Sequence, residues 1–306
     1  MLHRDVADIL REFVEAEGGD ESTDLLGSRF HRFWHSIPRV PYANVPLMDT
    51  VTEANPIEAV IEAFWMPGCS SCLRMKEFLE KSGKPFVAIN VDEHPEVRPR
   101  LNAHHMLLPA TAIGDRMVTG VDLGAVAELI GVPYEPPVIL PAEQLVARYL
   151  KNLGVARGYI ESMTPEMLDY QVPNRKRPML HVANQVGSVM RAFLTAYEDD
   201  HHDKNYYSMP DDVHTREDVL ARLDTTRQMF VTWWEEDGQD DPLDRVTPTY
   251  WGYPTLLEVL EREVWHTTQH TRQLEYAITL HGGTATPPLS REEHLAGLPL
   301  PERIND

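Results

Sequence analysis

Cysteine is nearly absent from this 306-residue chain, which has only two, Cys69 and Cys72. That excludes a scaffold stapled by several disulfides, and a pair separated by two residues points instead to a cytosolic redox dithiol. Basic residues are scarce as well, with 28 Lys plus Arg against 48 Asp plus Glu and a formal charge of -20. Such a field repels phosphate backbones and anionic lipid, so nucleic acid is excluded as a partner. Long apolar runs are missing too: no stretch approaches the roughly 20 residues needed to span a bilayer. The amphipathic, acidic opening segment lacks the basic start and apolar block of a secretory signal. The expectation is a cytoplasmic protein with no membrane partner.

A chain of this length exceeds what one hydrophobic core usually serves, so more than one domain is expected. Val6 to Glu17 has a helical pattern stopped by Gly18 and Gly19, and an irregular stretch follows to about Ala54. Residues 1–54 are assigned to an extension that either packs on the next domain or contributes to a ligand pocket. From Glu58 to Trp65, the short apolar run Val60, Ile61, Ala63 and Phe64 reads as a buried strand. Pro67 and Gly68 turn the chain. Leu73, Met75, Phe78 and Leu79 then recur at the spacing of a buried helical face, and Pro85 to Val91 reads as a second strand. Strand, helix, strand makes a βαβ unit with parallel strands.

Position decides the chemistry of the dithiol. At a helix start the unpaired N–H groups and the dipole favour an anion, so Cys69 is expected as the thiolate. Cys72, one turn deeper, can attack a mixed disulfide formed on Cys69 and release the product. A CxxC can also be half of a zinc site, but no second cysteine pair exists, and the flanking strand and amphipathic helix favour the redox reading.

The run Trp65 to Cys72, followed by Leu108-Pro109-Ala110-Thr111 and Gly120-Val121-Asp122, resembles glutaredoxins. The resemblance implies a thioredoxin-fold domain, assigned to 55–133, and a cis Pro109 facing the CxxC. Leu108 would offer its backbone groups to an extended thiol, Gly120 would make the turn, and Asp122 would hold the amine of glutathione. Asp122 has a second reading, as the N-cap of a helix from Leu123 to Ile130. Ser70 and Ser71 depart from the proline and aromatic common inside this motif.

Val132-Pro133-Tyr134-Glu135-Pro136-Pro137 and Pro141 exclude regular structure and mark a boundary near residue 134. Beyond it, four helical segments, Ala142 to Ser162, Met179 to Tyr197, Arg216 to Glu236 and Leu256 to Leu280, fit a four-helix bundle over 134–306. The expected fold is thus multi-domain, an α/β thioredoxin-like domain followed by an all-α bundle. Thr215 and Asp218 form an acidic variant of the capping box, and Gly238 and Gly282 stand where the third and fourth helices should stop. His201 to Asp212 reads as a polar loop, whereas Thr247 to Pro254 is too aromatic for a purely solvated one.

His266 and His270 are four apart on the last helix, on one face, a spacing that can chelate an ion but arises often by chance among 14 histidines. The run Trp265 to Leu274 resembles the last-helix signature of the DinB-like superfamily, which includes bacillithiol and mycothiol transferases. That resemblance implies a divalent metal, zinc or nickel, held by His181, His266 and His270 with open positions for water or a thiolate. Gln273 is read as part of the packing signature rather than as a residue orienting a ligand.

Together the halves suggest a thiol-dependent enzyme combining thiol–disulfide exchange with a metal site that activates a low-molecular-weight thiol or water. S-transfer, isomerisation and hydrolysis stay open. The expected partners are a thiol such as glutathione and a small electrophilic or disulfide substrate, and a homodimer stays open. Two further readings remain: a redox-regulated binding or stress protein, and a plain disulfide reductase with a structural bundle.

Overall fold

The computed structural model describes residues 60–171 and 177–305. The expected extension at 1–54 and the first residues of the expected first strand lie outside them. Within them the redox half is built in the order β1 (Ile61–Trp65), α1 (Ser70–Ser82), β2 (Phe86–Asn90), α2 (Arg98–Ala103), β3 (Ala110–Ile113), β4 (Arg116–Thr119) and α3 (Leu123–Ile130). The sheet order is β2-β1-β3-β4. β1 and β2 run parallel, with Ala63 opposite Ala88, as the βαβ reading requires, while β3 and β4 add an antiparallel hairpin. Its two-residue turn needs Gly114, whose φ of 60 would strain a side chain.

Alternation along β1 divides the core into two. Ile61 and Ala63 face α1 and α3, packing with Met75, Leu79, Leu123, Val126 and Ile130. Phe64 points to the opposite face and packs with Val91, Leu101, Ala110 and Ala112. Met75 and Leu79 are fully buried, each contributing about 1.5–3 kcal/mol. Val60, expected inside the strand, precedes it and is exposed.

Gly131, at φ 70, ends α3, and the proline-rich segment after it carries no regular element until α4 (Ala142–Ser162). Then come α5 (Pro165–Asp169), α6 (Met179–Asp199), α7 (Arg216–Trp233) and α8 (Leu256–Leu280). The long helices pack on one another, α6 on α7 and α8, and α4 on α8 and α7. Buried polar bonds join them: Asn152 donates to Thr268 Oγ1 at 2.6 Å, and Thr267 donates to the Val186 carbonyl at 2.9 Å. Both α7 and α8 open on capping boxes, Thr215 with Asp218 and Thr255 with Glu258. α7 does not run to Glu236 as a regular helix. Its end widens into a π turn, Trp234–Gly238, where a side chain at Gly238 would lie 2.6 Å from the Trp233 ring.

The segment after α8 returns to the redox half. The Glu77 carboxylate of α1 accepts from the Glu302 N–H at 2.7 Å, the Arg303 N–H at 2.9 Å and Arg303 Nε at 3.2 Å. From the other side, Arg272 of α8 donates to the carbonyls of Pro301 and Glu302, and Gln269 to that of Ile304. Residues 301–305 therefore strap α1 to α8, and Ala59–Asp306 is one compact unit. No helix among the described residues is long and apolar enough to cross a membrane.

Candidate functional site

Cys69 occupies the N-cap of α1, with extended backbone angles, and its Sγ accepts from the Cys72 N–H at 3.2 Å. The first turn of α1 carries no acidic residue, so nothing there opposes a negative sulfur. The two cysteines are joined as a disulfide with their Cα atoms 5.2 Å apart. Their exposure differs: Cys69 is half-buried and Cys72 wholly buried. Cys69 is therefore the more accessible of the two.

The Leu108–Pro109 bond is cis. Gly120 donates its N–H to the Pro109 carbonyl at 2.8 Å. A Cβ at Gly120 would stand 2.3 Å from Met75 Sδ and 2.9 Å from Pro109 Cβ, so this turn and the proline segment meet against α1 where only glycine fits. Neither backbone group of Leu108 has a hydrogen-bond partner among the described residues. Asp122 is the N-cap of α3, accepting from the Ala125 N–H at 3.1 Å, and it also lines a cleft between the two halves.

In the helical region, His266 and His270 lie side by side with ring centroids 4.7 Å apart. His270 Nδ1 lies 2.8 Å from Gln273 Oε1, which fixes the ring with its proton on Nδ1, and the buried Nε2 has no partner. Gln273 thus orients His270, and its amide reaches on to Asn305 Oδ1 at 3.1 Å. Burial, then the charges of His266 and Arg177, hold the His270 imidazole well below its usual range. Burial also lowers His266, whose Nδ1 stands 3.5 Å from Glu263 Oε2. Both rings are neutral at neutral pH. His181 Nε2 lies 3.4 Å from the Tyr207 carbonyl, and its charge is felt at His270. Among the described residues, no group of three His, Cys, Asp or Glu stands where it could hold a metal ion.

Several groups around this pair escaped the sequence reading. Glu263 is fully buried; Burial penalises its charge, yet Arg262, His202 and His266 outweigh that and hold its carboxyl well below the usual range. Arg262 donates to Glu263 at 2.5 Å and to the hydroxyls of Tyr207 at 2.6 Å and Tyr250 at 2.8 Å, and it lies 4.3 Å over the Trp251 ring. The segment expected as a polar loop, His201 to Asp212, in fact sends His202 and Tyr207 into this network, whereas the aromatic character of Thr247 to Pro254 correctly pointed to contacts. Arg177, 4% exposed, donates to the Gly68 carbonyl at 3.2 Å, one residue before Cys69, and its charge also reaches both imidazoles. The dithiol turn and the histidine pair are therefore neighbours of one arginine, although they lie more than 190 residues apart in the chain.

No curated protein matches the chain. A solved structure, a glutathione transferase homologue from Sulfitobacter with bound glutathione, aligns over 73% of this chain and 99% of its own at 16% identity. Its TM-score of 0.24 is too low to transfer either fold or ligand. Residues 61–118, which hold the dithiol and the cis proline, match the family model for glutaredoxins, and this part of the chain is a glutaredoxin domain.

Proposed function

We propose that this protein is a thiol–disulfide oxidoreductase in which Cys69 attacks and Cys72 resolves, served by a low-molecular-weight thiol of the glutathione class. The observation that carries this reading is the asymmetry of the pair, a half-buried cysteine at the helix start and a wholly buried partner one turn on. The Cys69 thiolate attacks one sulfur of a disulfide R–S–S–R′, and R′S⁻ leaves and takes a proton. Cys72, deprotonated, then attacks Cys69 Sγ, expels RS⁻ and closes the Cys69–Cys72 disulfide. Two electrons pass to the substrate, and two equivalents of the low-molecular-weight thiol restore the dithiol. Leu108 would pair its backbone with the substrate beside Pro109, Gly120 lets the proline segment close on α1, and Asp122, already accepting at the α3 N-cap, adds its negative charge on the side of the thiol's amine. Limiting iodoacetamide at pH 6.5 should label Cys69 first in the reduced protein; preferential labelling of Cys72 would overturn the assignment.

A second proposal concerns the helical region, read as a DinB-like four-helix bundle over 134–306 following the redox domain at 55–133. In this reading His181, His266 and His270 take one divalent ion, zinc or nickel, which when bound would supply a Lewis acid for a thiol or water in transfer to a small electrophile. The favouring observation is the buried, unpartnered Nε2 of His270, oriented by Gln273, on a neutral ring beside a second neutral ring. Binding requires His181 to join the other two. Plasma mass spectrometry should find about one equivalent of metal in the wild type and much less in His181→Ala. A wild type that is metal-free and resists reconstitution would leave the helices as a redox-regulated binding module.

A further inference from the structure

The cleft between the two halves holds charges that dithiol exchange does not use. Its volume is about 320 Å³, in the range of small-molecule sites, and its walls come from α1, the turn at Asp122, the linker at Tyr134, and α8 with the loop before it. Asp122, Glu258 and Arg262 line it as well but are held by partners of their own, which leaves two groups of opposite charge. Arg74 of α1 has its guanidinium over the Trp265 ring, 5.7 Å from the centroid, and makes no hydrogen bond or ion pair among the described residues. Glu261 of α8 is 8% exposed, and its Oε1 is buried with no partner. Burial pushes the Glu261 carboxyl up to about 7, against the pull of Arg74. Each group feels the other's charge without forming a pair, and Tyr134 and Asp122 lie in the same field. Leaving two ionisable groups desolvated and open is costly, and such groups cluster where a ligand completes them.

We infer that this cleft binds an amino-carboxylate, the ligand's carboxylate on Arg74 and its ammonium on Glu261. A simple anion would add to the negative charge around Glu261, and a simple cation would add a like charge near Arg74. A zwitterion answers both. The rings of Trp251 and Trp265 give its apolar part a surface. The same chemistry belongs to a free α-amino acid and to the amino-acid end of a peptidic thiol; for the second source the inference rests on the thiol reading above, and for the first it stands without it.

The test is isothermal titration of the full-length protein with S-methylglutathione and, separately, with L-tryptophan. At least one should bind, and Arg74→Met and Glu261→Gln should each weaken it by about tenfold or more, the loss expected for one charge-assisted contact. Binding of the first alone identifies the thiol's end, and binding of the second alone a free amino acid. The des-amino counterpart of the ligand should bind the wild type more weakly and lose nothing further in Glu261→Gln; equal loss for both ligands would mean that Glu261 only shapes the cleft, and would overturn the assignment. Should either variant fail to fold, Glu261→Asp and Arg74→Lys displace the charges instead, and the same weakening is expected. No binding of either probe, or binding indifferent to both positions, would reject the site. Because S-methylglutathione has no thiol to exchange, that failure leaves the Cys69 assignment standing, and mislabelling at Cys69 leaves the cleft standing.

Discussion

Replacing Glu77 with alanine should detach the strap between the redox helix and the histidine helix. Its buried carboxylate takes three donors, two of them the backbone N–H groups of Glu302 and Arg303. Hydrogen bonds to a charged group are worth about 1.5–3 kcal/mol each, but these share one partner and are not additive, so a loss of about 3 kcal/mol is expected for Glu77→Ala. For a unit of this size that corresponds to a fall in Tm of about 6–12 °C. Glu80→Ala is the control: Glu80 is half-exposed and receives only Arg303 Nη2, at 3.0 and 3.1 Å, so its loss should stay under about 1 kcal/mol. Urea denaturation followed by far-ultraviolet circular dichroism gives both values. The cost of Glu77→Ala should nearly vanish in a chain lacking 302–306, since the donors are then gone. A Glu77→Ala loss no larger than that of Glu80→Ala, or one that persists after the truncation, would refute the strap.

Three other outcomes follow from the same structure. Glu263→Gln removes the charge that Arg262 is buried against, and unfolding in urea should show a loss of about 3–5 kcal/mol. Gly120→Ala would press a Cβ against Met75 and Pro109, and thermal denaturation should register about 1–3 kcal/mol of destabilisation. For Glu261 the folded pKa lies above the unfolded one, so its contribution is fully present below about 4.5 and is lost as pH rises through about 7. Glu261→Gln, which does not titrate, should therefore gain on the wild type between pH 5 and pH 8, by at most about 3 kcal/mol in urea midpoints; a difference independent of pH would contradict the burial argument.

What was legible in the chain follows from how local the physics is. The N-cap position of Cys69, the cap at Asp122, the capping box at Thr215 and the bounds of α4 and α8 all depend on residues within a turn of one another, and all stand where the pattern put them. Edges depend on neighbours and were read less well. Val60, expected in the strand, stands exposed ahead of it, and the third helix widens at Gly238, where the Trp233 ring lies against the backbone. The burial of His202 and Tyr207 was invisible because their partner Glu263 lies some 60 residues away, and a polar loop looks the same whether or not a buried charge awaits it. Arg177 and Glu77 escaped notice for the same reason, since each acts on a backbone group more than 100 residues distant. Gln273 needed the geometry of His270 before packing and orientation could be told apart.

The most direct test of the central claim is to trap the intermediate. Cys72→Ser, reduced and then mixed with glutathione disulfide, should accumulate a single glutathione adduct, which peptide mass analysis places on Cys69, while Cys69→Ser should form none. An adduct on Cys72 in Cys69→Ser at a comparable rate, or no adduct on Cys69 in Cys72→Ser, would contradict the assignment of the attacking sulfur.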